Sequence, residues 1–390
     1  MTEQIGVGMV GYAFMGAAHS QAWRNVNRFF DLPLTVDLAA VTGRTEASVA
    51  AAAKRMGWRT YETNWNALLT RDDIDIIDVC TPGDSHAEIA IAALAAGKHV
   101  ICEKPLANTV AEAEAMTLAA EVAASRGVAS MVAFNYRRVP ALALARELVT
   151  AGRIGIVRHV RAQYLQDWIV DPQFPLVWRL QRDKAGSGAL GDIGAHIIDA
   201  TQFILGDRLA GVCALTETFV KERPLPEASS GLSVAAGGSS ATGPVTVDDC
   251  ALFIGRFGGG AVASFEATRF ATGRKNGLRI EINGSAGSIA FDFESMNELA
   301  FYDNTEDGET AGFRRILVTE PTHPYMEAWW PPGHLIGYEH TFTHEVRDFL
   351  TAVAAGAHPQ PSFADGLQVQ RVLAAVEASA ANNSCWTEVG

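Results

Sequence analysis

The sequence predicts an α/β chain in which a parallel α/β domain is followed by an α+β domain with a largely antiparallel sheet. The first third alternates short apolar runs with helical patterns, as βαβ units do. After about Asn135, long strand-like runs follow one another with few helices between them. A chain of 390 residues is long enough for about two to three domains, each with its own core. We therefore predict domains over 1–134 and 135–390.

The first domain is predicted from runs that are short and apolar, as strands buried on both faces of a parallel sheet should be. The predicted strands are 5–10, 38–42, 74–80, 99–102 and 129–134. Among the intervening helices, 110–126 is the clearest. Thr109 and Glu112 form a capping box at its start, and Gly127 ends it.

The second domain opens with a predicted helix over 140–151 and continues mainly as strands. The predicted strands are 157–166, 249–257, 260–270, 278–283 and 288–293, with glycine-centred hairpin turns at 257–260 and 283–287. Residues 227–244 are rich in Ser, Gly and Ala and are interpreted as a surface loop. Helical patterns return at 338–355 and 363–381, and the last helix is a candidate to pack back on the first domain.

Composition and charge exclude several classes of partner. Lys plus Arg is 31 and Asp plus Glu is 44, so the net charge is −13 and the field repels nucleic acids and anionic membranes. No run approaches the roughly 18 apolar residues of a membrane span, and the start has no secretory signal pattern, so we expect a cytoplasmic protein. The five cysteines contain no Cys-x-x-Cys pair, which fits neither a disulfide framework nor a cysteine zinc site.

A glycine-rich turn follows the first predicted strand. In the run from Gly11 to Gly16, Gly11 permits a tight turn, the small Ala13 lets a pyrophosphate approach the backbone, and Gly16 lets helix and strand pack closely. This pattern predicts a dinucleotide site. Arg44 stands after the second strand, where a carboxylate would hold a ribose diol. It could pair with a 2′-phosphate, which favours NADP, or stack on adenine, which permits NAD; charge alone favours NADP.

Three further segments carry a family resemblance. They are the run from Thr81 to His86, the run 96–106 with Glu103-Lys104-Pro105, and the run from Gly188 to His196. Together with the glycine turn they resemble the glucose-fructose oxidoreductase, inositol dehydrogenase and rhizopine-catabolism (Gfo/Idh/MocA) family, over most of the chain.

The resemblance implies a Rossmann domain that binds NAD and a second domain with a large open sheet that forms oligomer contacts, with a tetramer favoured. It implies that Lys104, Asp192 and His196 meet over the nicotinamide. The implied cofactor-binding residues are Gly11, Ala13, Phe14, Met15, Arg44, Thr81, Pro82, His86, Glu103 and Lys104. Within the family, the stretch 323–334 and the Gly43-Arg44 turn are most similar to members that oxidise the C3 hydroxyl of 1,6-anhydro-β-D-glucose with NAD, despite Arg44.

Oxidation of a secondary alcohol needs a base for the hydroxyl proton and a group that stabilises the alkoxide. His196 is the candidate base, and Asp192, four residues earlier, can orient the imidazole or bind a sugar hydroxyl. Lys104 can stabilise the alkoxide, or act as the base itself. The predicted sugar-binding residues, which combine hydrogen-bonding groups with aromatic faces, are Lys104, Asn135, Tyr136, Gln163, Trp168, Arg179, Asp192 and His196.

Other interpretations stay open at this stage. Asp192, His196 and Asp199 have the i, i+4, i+7 spacing of a metal site, but no fourth ligand is evident and we predict no metal. The alternative functions are another sugar or inositol dehydrogenase, an NAD-dependent glycosidase that does not consume NAD, and a non-catalytic sugar or nucleotide sensor.

Overall fold

The computed structural model describes residues 3–226 and 241–390. The chain forms two compact units: one comprises the chain up to Asn135 with Gly337–Leu367, and the other comprises Tyr136–Ile336 with Gln368–Gly390. Of the predicted surface loop 227–244, residues 227–240 lie outside the described residues. Within the described ranges, no helix is both long and apolar enough to cross a membrane.

The strands and helices follow in chain order. The strands are β1 (Glu3–Val10), β2 (Leu34–Thr42), β3 (Thr60–Glu62), β4 (Ile76–Val79), β5 (His99–Glu103), β6 (Ser130–Ala133), β7 (Val157–Leu165), β8 (Leu209–Glu217), β9 (Glu222–Pro224), β10 (Thr242–Pro244), β11 (Cys250–Phe257), β12 (Val262–Thr268), β13 (Gly277–Gly284), β14 (Gly287–Asp292), β15 (Glu298–Asp303), β16 (Arg314–Leu317) and β17 (Thr387–Glu388). The α-helices are α1 (Phe14–Phe29), α2 (Glu46–Met56), α3 (Asn66–Leu69), α4 (His86–Ala95), α5 (Val110–Ala124), α6 (Pro140–Thr150), α7 (Arg182–Ala185), α8 (Ala195–Leu205), α9 (Tyr338–Ala354) and α10 (Phe363–Ala381).

The first unit contains a six-stranded parallel sheet. Its strand order is β3-β2-β1-β4-β5-β6, the order of a Rossmann fold, so the predicted fold class is confirmed here. The capping box of α5 is present: Thr109 Oγ1 accepts from the main-chain N–H of Glu112, and Glu112 Oε2 accepts from the main-chain N–H of Thr109. Strand β2 begins earlier than predicted, because the polar Asp37 interrupts its apolar pattern and pairs with Arg59 at 2.7 Å.

Helix α9 belongs to the first unit, whereas the sequence-based division placed its residues in the second domain. Its apolar side chains pack against α1. The Phe342 ring lies 5.3 Å from the His19 ring, and the Phe349 ring meets the Trp23 ring edge-on at 6.4 Å. The chain thus re-enters the first unit at Gly337, after the long segment Tyr136–Ile336 of the second unit, and no local pattern in the sequence predicts this return.

The second unit is built on a nine-stranded mixed sheet. Its order is β16-β15-β14-β13-β7-β12-β11-β8-β17; β7 and β12 run parallel, and the other neighbouring pairs in the described residues are antiparallel. The two predicted hairpins are present as β11–β12 and β13–β14. The predicted mostly antiparallel sheet is therefore confirmed.

The two faces of this sheet differ. Helices α6 and α8 cover one face, which carries the buried Tyr164 of β7. The opposite face is open, and three apolar side chains on it are 62%, 45% and 59% exposed: Leu215, Leu252 and Ile254. Because side chains alternate along a strand, neighbouring residues of β7 serve different faces.

Candidate active site

The glycine turn between β1 and α1 has the backbone that a dinucleotide requires. Gly11 has φ +101°, and a Cβ there would lie 2.7 Å from the carbonyl oxygen of Cys80. A Cβ on Gly16 would collide with the carbonyl of Gly11, so this glycine permits the close approach of helix and turn. Both positions therefore exclude a side chain, as predicted.

The amino end of α1 is open to an anion. Ala13 is the N-cap residue; among the described residues no side chain caps this end, and the first turn contains no acidic residue. The main-chain N–H groups of this turn, which includes Phe14 and Met15, are available to a pyrophosphate. Phe14 is 49% exposed, and its ring stacks on the Tyr338 ring at 6.4 Å. Arg44 is exposed in the turn after β2. These features fit a bound dinucleotide.

The loops that follow β4 and β5 are held together by His86. One ring nitrogen lies 2.8 Å from the carbonyl oxygen of Thr81, and the other lies 3.0 Å from that of Pro105. His86 is 1% exposed, so it joins the two loops from the interior of the first unit. Thr81, Pro82 and Lys104, predicted at separate positions of the sequence, thus lie on neighbouring loops at the carboxyl edge of the sheet, where ligands bind in such folds.

Glu103 is the last residue of β5 and Lys104 follows it, and the two side chains have different surroundings. Glu103 is 4% exposed; its Oε1 lies 3.0 Å from His19 Nε2, and its Oε2 accepts from the main-chain N–H of Lys104 at 2.9 Å. Lys104 is half-buried. The predicted cofactor residue Glu103 therefore has both carboxylate oxygens engaged inside the first unit.

In the second unit, His196 lies in a cluster of aromatic rings. It occupies the first turn of α8 and is 8% exposed, with its ring 4.5 Å from the Tyr136 ring. The hydroxyl oxygens of Tyr136 and Tyr164 are 2.7 Å apart, and the Tyr164 hydroxyl donates to Asn276 Oδ1 at 2.6 Å. The structure thus brings the predicted residues Tyr136 and His196 together.

Asp192 lies on a π-helical turn, Leu190–Gly194, directly before α8. Such wide turns are rare and occur often at functional sites. Asp192 Oδ2 is 3.4 Å from Arg269 Nη1, and Arg269 is fully buried. The same guanidinium donates to the carbonyl oxygen of Asp248 at 3.1 Å and lies 5.5 Å from the centre of the Trp168 ring. Arg269 therefore connects two predicted site residues, Asp192 and Trp168.

Two predicted sugar-binding residues have their amides engaged elsewhere. Gln163 Nε2 donates to Glu266 at 2.8 Å on the open face of the sheet, one residue before Tyr164 and therefore on the opposite side. Asn135 is buried in the first unit and donates to Thr341 at 2.8 Å. Another predicted sugar-binding residue, Arg179, lies with its guanidinium 4.3 Å from the centre of the Trp178 ring.

Sequence reasoning missed Arg269, Asn276 and Gln166. The Gln166 amide donates to Asn276 Oδ1 at 3.0 Å. The available signal was strand alternation, since Gln166 is two residues after Tyr164 and so shares its side. Asp199, considered above as a metal ligand, accepts from the Arg137 guanidinium at 2.9 and 2.6 Å.

Comparison with known proteins gives one family for both parts of the chain. Residues 5–134 match the model of an oxidoreductase family with an NAD-binding Rossmann fold, and residues 142–290 match that of the GFO/IDH/MocA C-terminal domain. A levoglucosan dehydrogenase of Pseudarthrobacter phenanthrenivorans is 43% identical over 99% of this chain and 98% of its own. The chain belongs to the GFO/IDH/MocA family.

Solved structures agree with this assignment. An oxidoreductase domain protein from Kribbella flavida is 68% identical with a TM-score of 0.95, and each chain is covered completely. Levoglucosan dehydrogenase in complex with NADH and levoglucosan is 42% identical with a TM-score of 0.93, also with complete coverage of both chains. The predicted family, oxidoreductase class and NAD cofactor are thereby confirmed.

Proposed function

We propose that this chain is an NAD-dependent dehydrogenase that oxidises levoglucosan, 1,6-anhydro-β-D-glucose, to its 3-keto derivative. The observation that carries the proposal is the placement of His196, a proton-exchanging ring, against the Tyr136 ring and one turn after Asp192. A sugar needs such an aromatic surface beside polar groups. Similarity to levoglucosan dehydrogenase along the whole chain supports the choice of sugar.

The roles follow from the chemistry of a secondary alcohol. NAD, when bound by the first unit, would supply the acceptor for the carbinol hydrogen and its electron pair. His196 accepts the hydroxyl proton, and Asp192 orients the imidazole or binds a neighbouring hydroxyl. The Lys104 ammonium stabilises the negative charge on the oxygen as the C=O bond forms. The alternative role for Lys104 is that of the base itself.

The cofactor would be held by the turn and loops of the first unit. The pyrophosphate would accept from main-chain N–H groups at the start of α1, with Gly11 and Ala13 allowing its approach. We assign Arg44 to stacking on adenine, the role that is compatible with NAD. In the second unit, Tyr136, Trp168 and Arg179 are the proposed sugar contacts, with Gln166 replacing Gln163, which faces the open side of the sheet.

The first test measures formation of NADH from NAD, and of NADPH from NADP in a parallel reaction, with levoglucosan as substrate. We expect reduction of NAD that depends on levoglucosan, with product analysis placing the ketone at C3. Replacing His196 with Ala should lower kcat by about 100-fold or more while Kd for NADH changes little. A signal only with glucose or an inositol would overturn the choice of sugar, whereas glycoside cleavage without NADH would overturn the dehydrogenase assignment. No reaction with any sugar would favour a sensor.

We further propose that a second copy of this chain covers the open sheet face, as part of a homotetramer. The exposed apolar side chains Leu215, Leu252 and Ile254 support this. Ile254→Glu should lower the molar mass measured by light scattering, while an unchanged mass would oppose the proposal. The cytoplasmic location stays a prediction that cell fractionation would check.

A further inference from the structure

A row of buried ionisable side chains, joined by hydrogen bonds, lies inside the first unit near the carboxyl ends of β4 and β5. At its centre is His19 of α1, which is 1% exposed. Nδ1 of its ring lies 3.1 and 3.0 Å from the two carboxylate oxygens of Asp78, and Nε2 lies 3.0 Å from Glu103 Oε1. Asp78 and Glu103 are 0% and 4% exposed. The roles proposed above make no use of His19 or Asp78.

Further hydrogen bonds extend from both ends of this row, Asp78 and Glu103. Asp78 Oδ2 accepts from Trp23 Nε1 at 2.6 Å, and Asp78 Oδ1 accepts from the Cys80 thiol at 3.3 Å. Glu103 Oε2 accepts from the main-chain N–H of Lys104 at 2.9 Å. An unbroken path of hydrogen bonds therefore runs from α1, through His19 and Glu103, to the backbone of Lys104.

The geometry around His19 favours a doubly protonated ring. Each ring nitrogen faces a carboxylate, and only a doubly protonated ring donates to both. Burial is the largest single effect on the pKa of His19 and opposes this charge. The attraction and hydrogen bonding of Asp78, together with the contribution of Cys80, outweigh burial and hold the pKa well above its ordinary value. A buried cation between two buried carboxylates fixes all three groups, because any displacement would leave a charge without its partner.

We propose that His19 is a positioning residue: its ring holds Glu103, which in turn holds the backbone of Lys104 and sets where the Lys104 ammonium leaves β5. This inference rests on the function proposed above, in which Lys104 acts on the sugar oxygen. Reaction rates depend steeply on such placement, since an error of about 1 Å can cost about 100-fold in rate.

A metal site is the rival interpretation. His19, Asp78 and Cys80 bring three potential ligand atoms within 4.8 Å of one another. In the metal-free protein, however, burial raises the pKa of the Cys80 thiol, which stays protonated and donates to Asp78 Oδ1. The Asp78 oxygens are also already acceptors for the His19 ring, the Trp23 indole and the thiol.

The test compares three variants: His19→Gln, Glu103→Gln and His344→Gln. Glu103→Gln keeps the shape of the side chain. His19 and the Lys104 N–H face different oxygens of Glu103, and in Gln one of these two positions becomes an NH2 group that cannot accept. His344 is the matched control, because it is fully buried in the same unit and packs edge-on against the Phe30 ring at 6.2 Å.

For His19→Gln and Glu103→Gln we expect kcat to fall about 10- to 100-fold, with KM for the sugar and Kd for NADH within about threefold of wild type. His344→Gln should lower Tm and leave kcat within about twofold. If the loss of kcat simply follows the loss of Tm across the three variants, His19 has only a structural role and the proposal is wrong. If His19→Gln does not fold, Glu103→Gln against His344→Gln makes the same comparison.

A second measurement is independent of activity. Hydrogen exchange of a peptide spanning 102–108, in protein without NAD, reports on the Lys104 amide. We expect exchange about tenfold faster in His19→Gln and Glu103→Gln than in wild type or His344→Gln. Unchanged exchange would overturn the proposal. The proposal would also be overturned if the wild-type protein contained stoichiometric zinc and His19→Gln contained none. If wild type oxidises no sugar, the proposed function fails, and this exchange experiment alone decides whether His19 positions Lys104.

Discussion

Replacing Arg269 with Met removes the guanidinium whose Nη1 lies 3.4 Å from Asp192 Oδ2. For unit charges at this distance, Coulomb's law with an effective dielectric constant of about 20 gives about 5 kcal/mol. Desolvation of the fully buried guanidinium offsets much of this, and Asp192, with its side chain 24% exposed, retains some water. We therefore expect a net coupling of about 1.4–2.8 kcal/mol, which is about 10- to 100-fold in kcat/KM.

The assay is a double-mutant cycle on kcat/KM for levoglucosan with wild type, Arg269→Met, Asp192→Asn and the double variant. If Arg269 acts by holding the Asp192 carboxylate, Arg269→Met lowers kcat/KM about 10- to 100-fold in wild type and less than about twofold in the Asp192→Asn background. Kinetics are preferred to unfolding here, because two compact units need not unfold in a single transition.

Arg223 provides the matched control. It is also fully buried in the second unit, but its guanidinium donates to the main-chain carbonyl oxygens of Asp171 and Ile169, at 2.8 and 2.6 Å. Arg223→Met should therefore change kcat/KM by the same factor whether or not Asp192 is replaced. If Arg269→Met also has equal effects in the two backgrounds, the reasoning from the 3.4 Å contact is refuted.

Three further predictions concern the first unit and the thiols. Gly11→Ala should raise Kd for NADH, measured by fluorescence, at least about tenfold, because φ +101° and the nearby carbonyl of Cys80 force the turn to move; unchanged affinity would contradict the assigned turn. In native protein a thiol reagent should modify the exposed Cys385 well before Cys80, whose burial raises its pKa, and equal rates would contradict this. The His19 pair with Asp78 should stabilise the protein fully below about pH 6.5 and progressively less as pH rises through the raised pKa, so the Tm gap between wild type and His19→Gln should narrow in alkaline buffer.

Local patterns were sufficient for much of the fold. The Thr109–Glu112 capping box is a short-range signal, and it placed the start of α5 at Val110 correctly. Strands were missed where the pattern is weak: β3 has three residues, and β8 contains the small residues Gly211, Cys213 and Ala214 within its alternation. Local patterns could not predict which unit a helix belongs to. That assignment depends on contacts between distant parts of the chain, as it does for α9.

The same distinction applies to the candidate site. Gly11, Lys104 and His196 stand in recognisable runs, and the chemistry assigned to them needed no coordinates. Arg269 is 77 residues from Asp192, and Glu103 is 84 residues from His19, so only the folded sheet brings these partners together. Gln163 shows another limit, since a shift of one residue along a strand moves a side chain to the opposite face.

The edge strands of the nine-stranded sheet are short. Its outer strands are β16, a four-residue strand that begins with two arginines, and β17, which has only two residues. Short, charged edges give an incoming strand few main-chain groups to pair with, so they discourage growth of the sheet into fibrils. The exposed apolar side chains of the sheet lie instead on its open face, where the proposed pairing with a second copy would be self-limiting. In the proposed homotetramer, the exposed apolar surface of this sheet would be directed toward a finite assembly and away from open-ended growth.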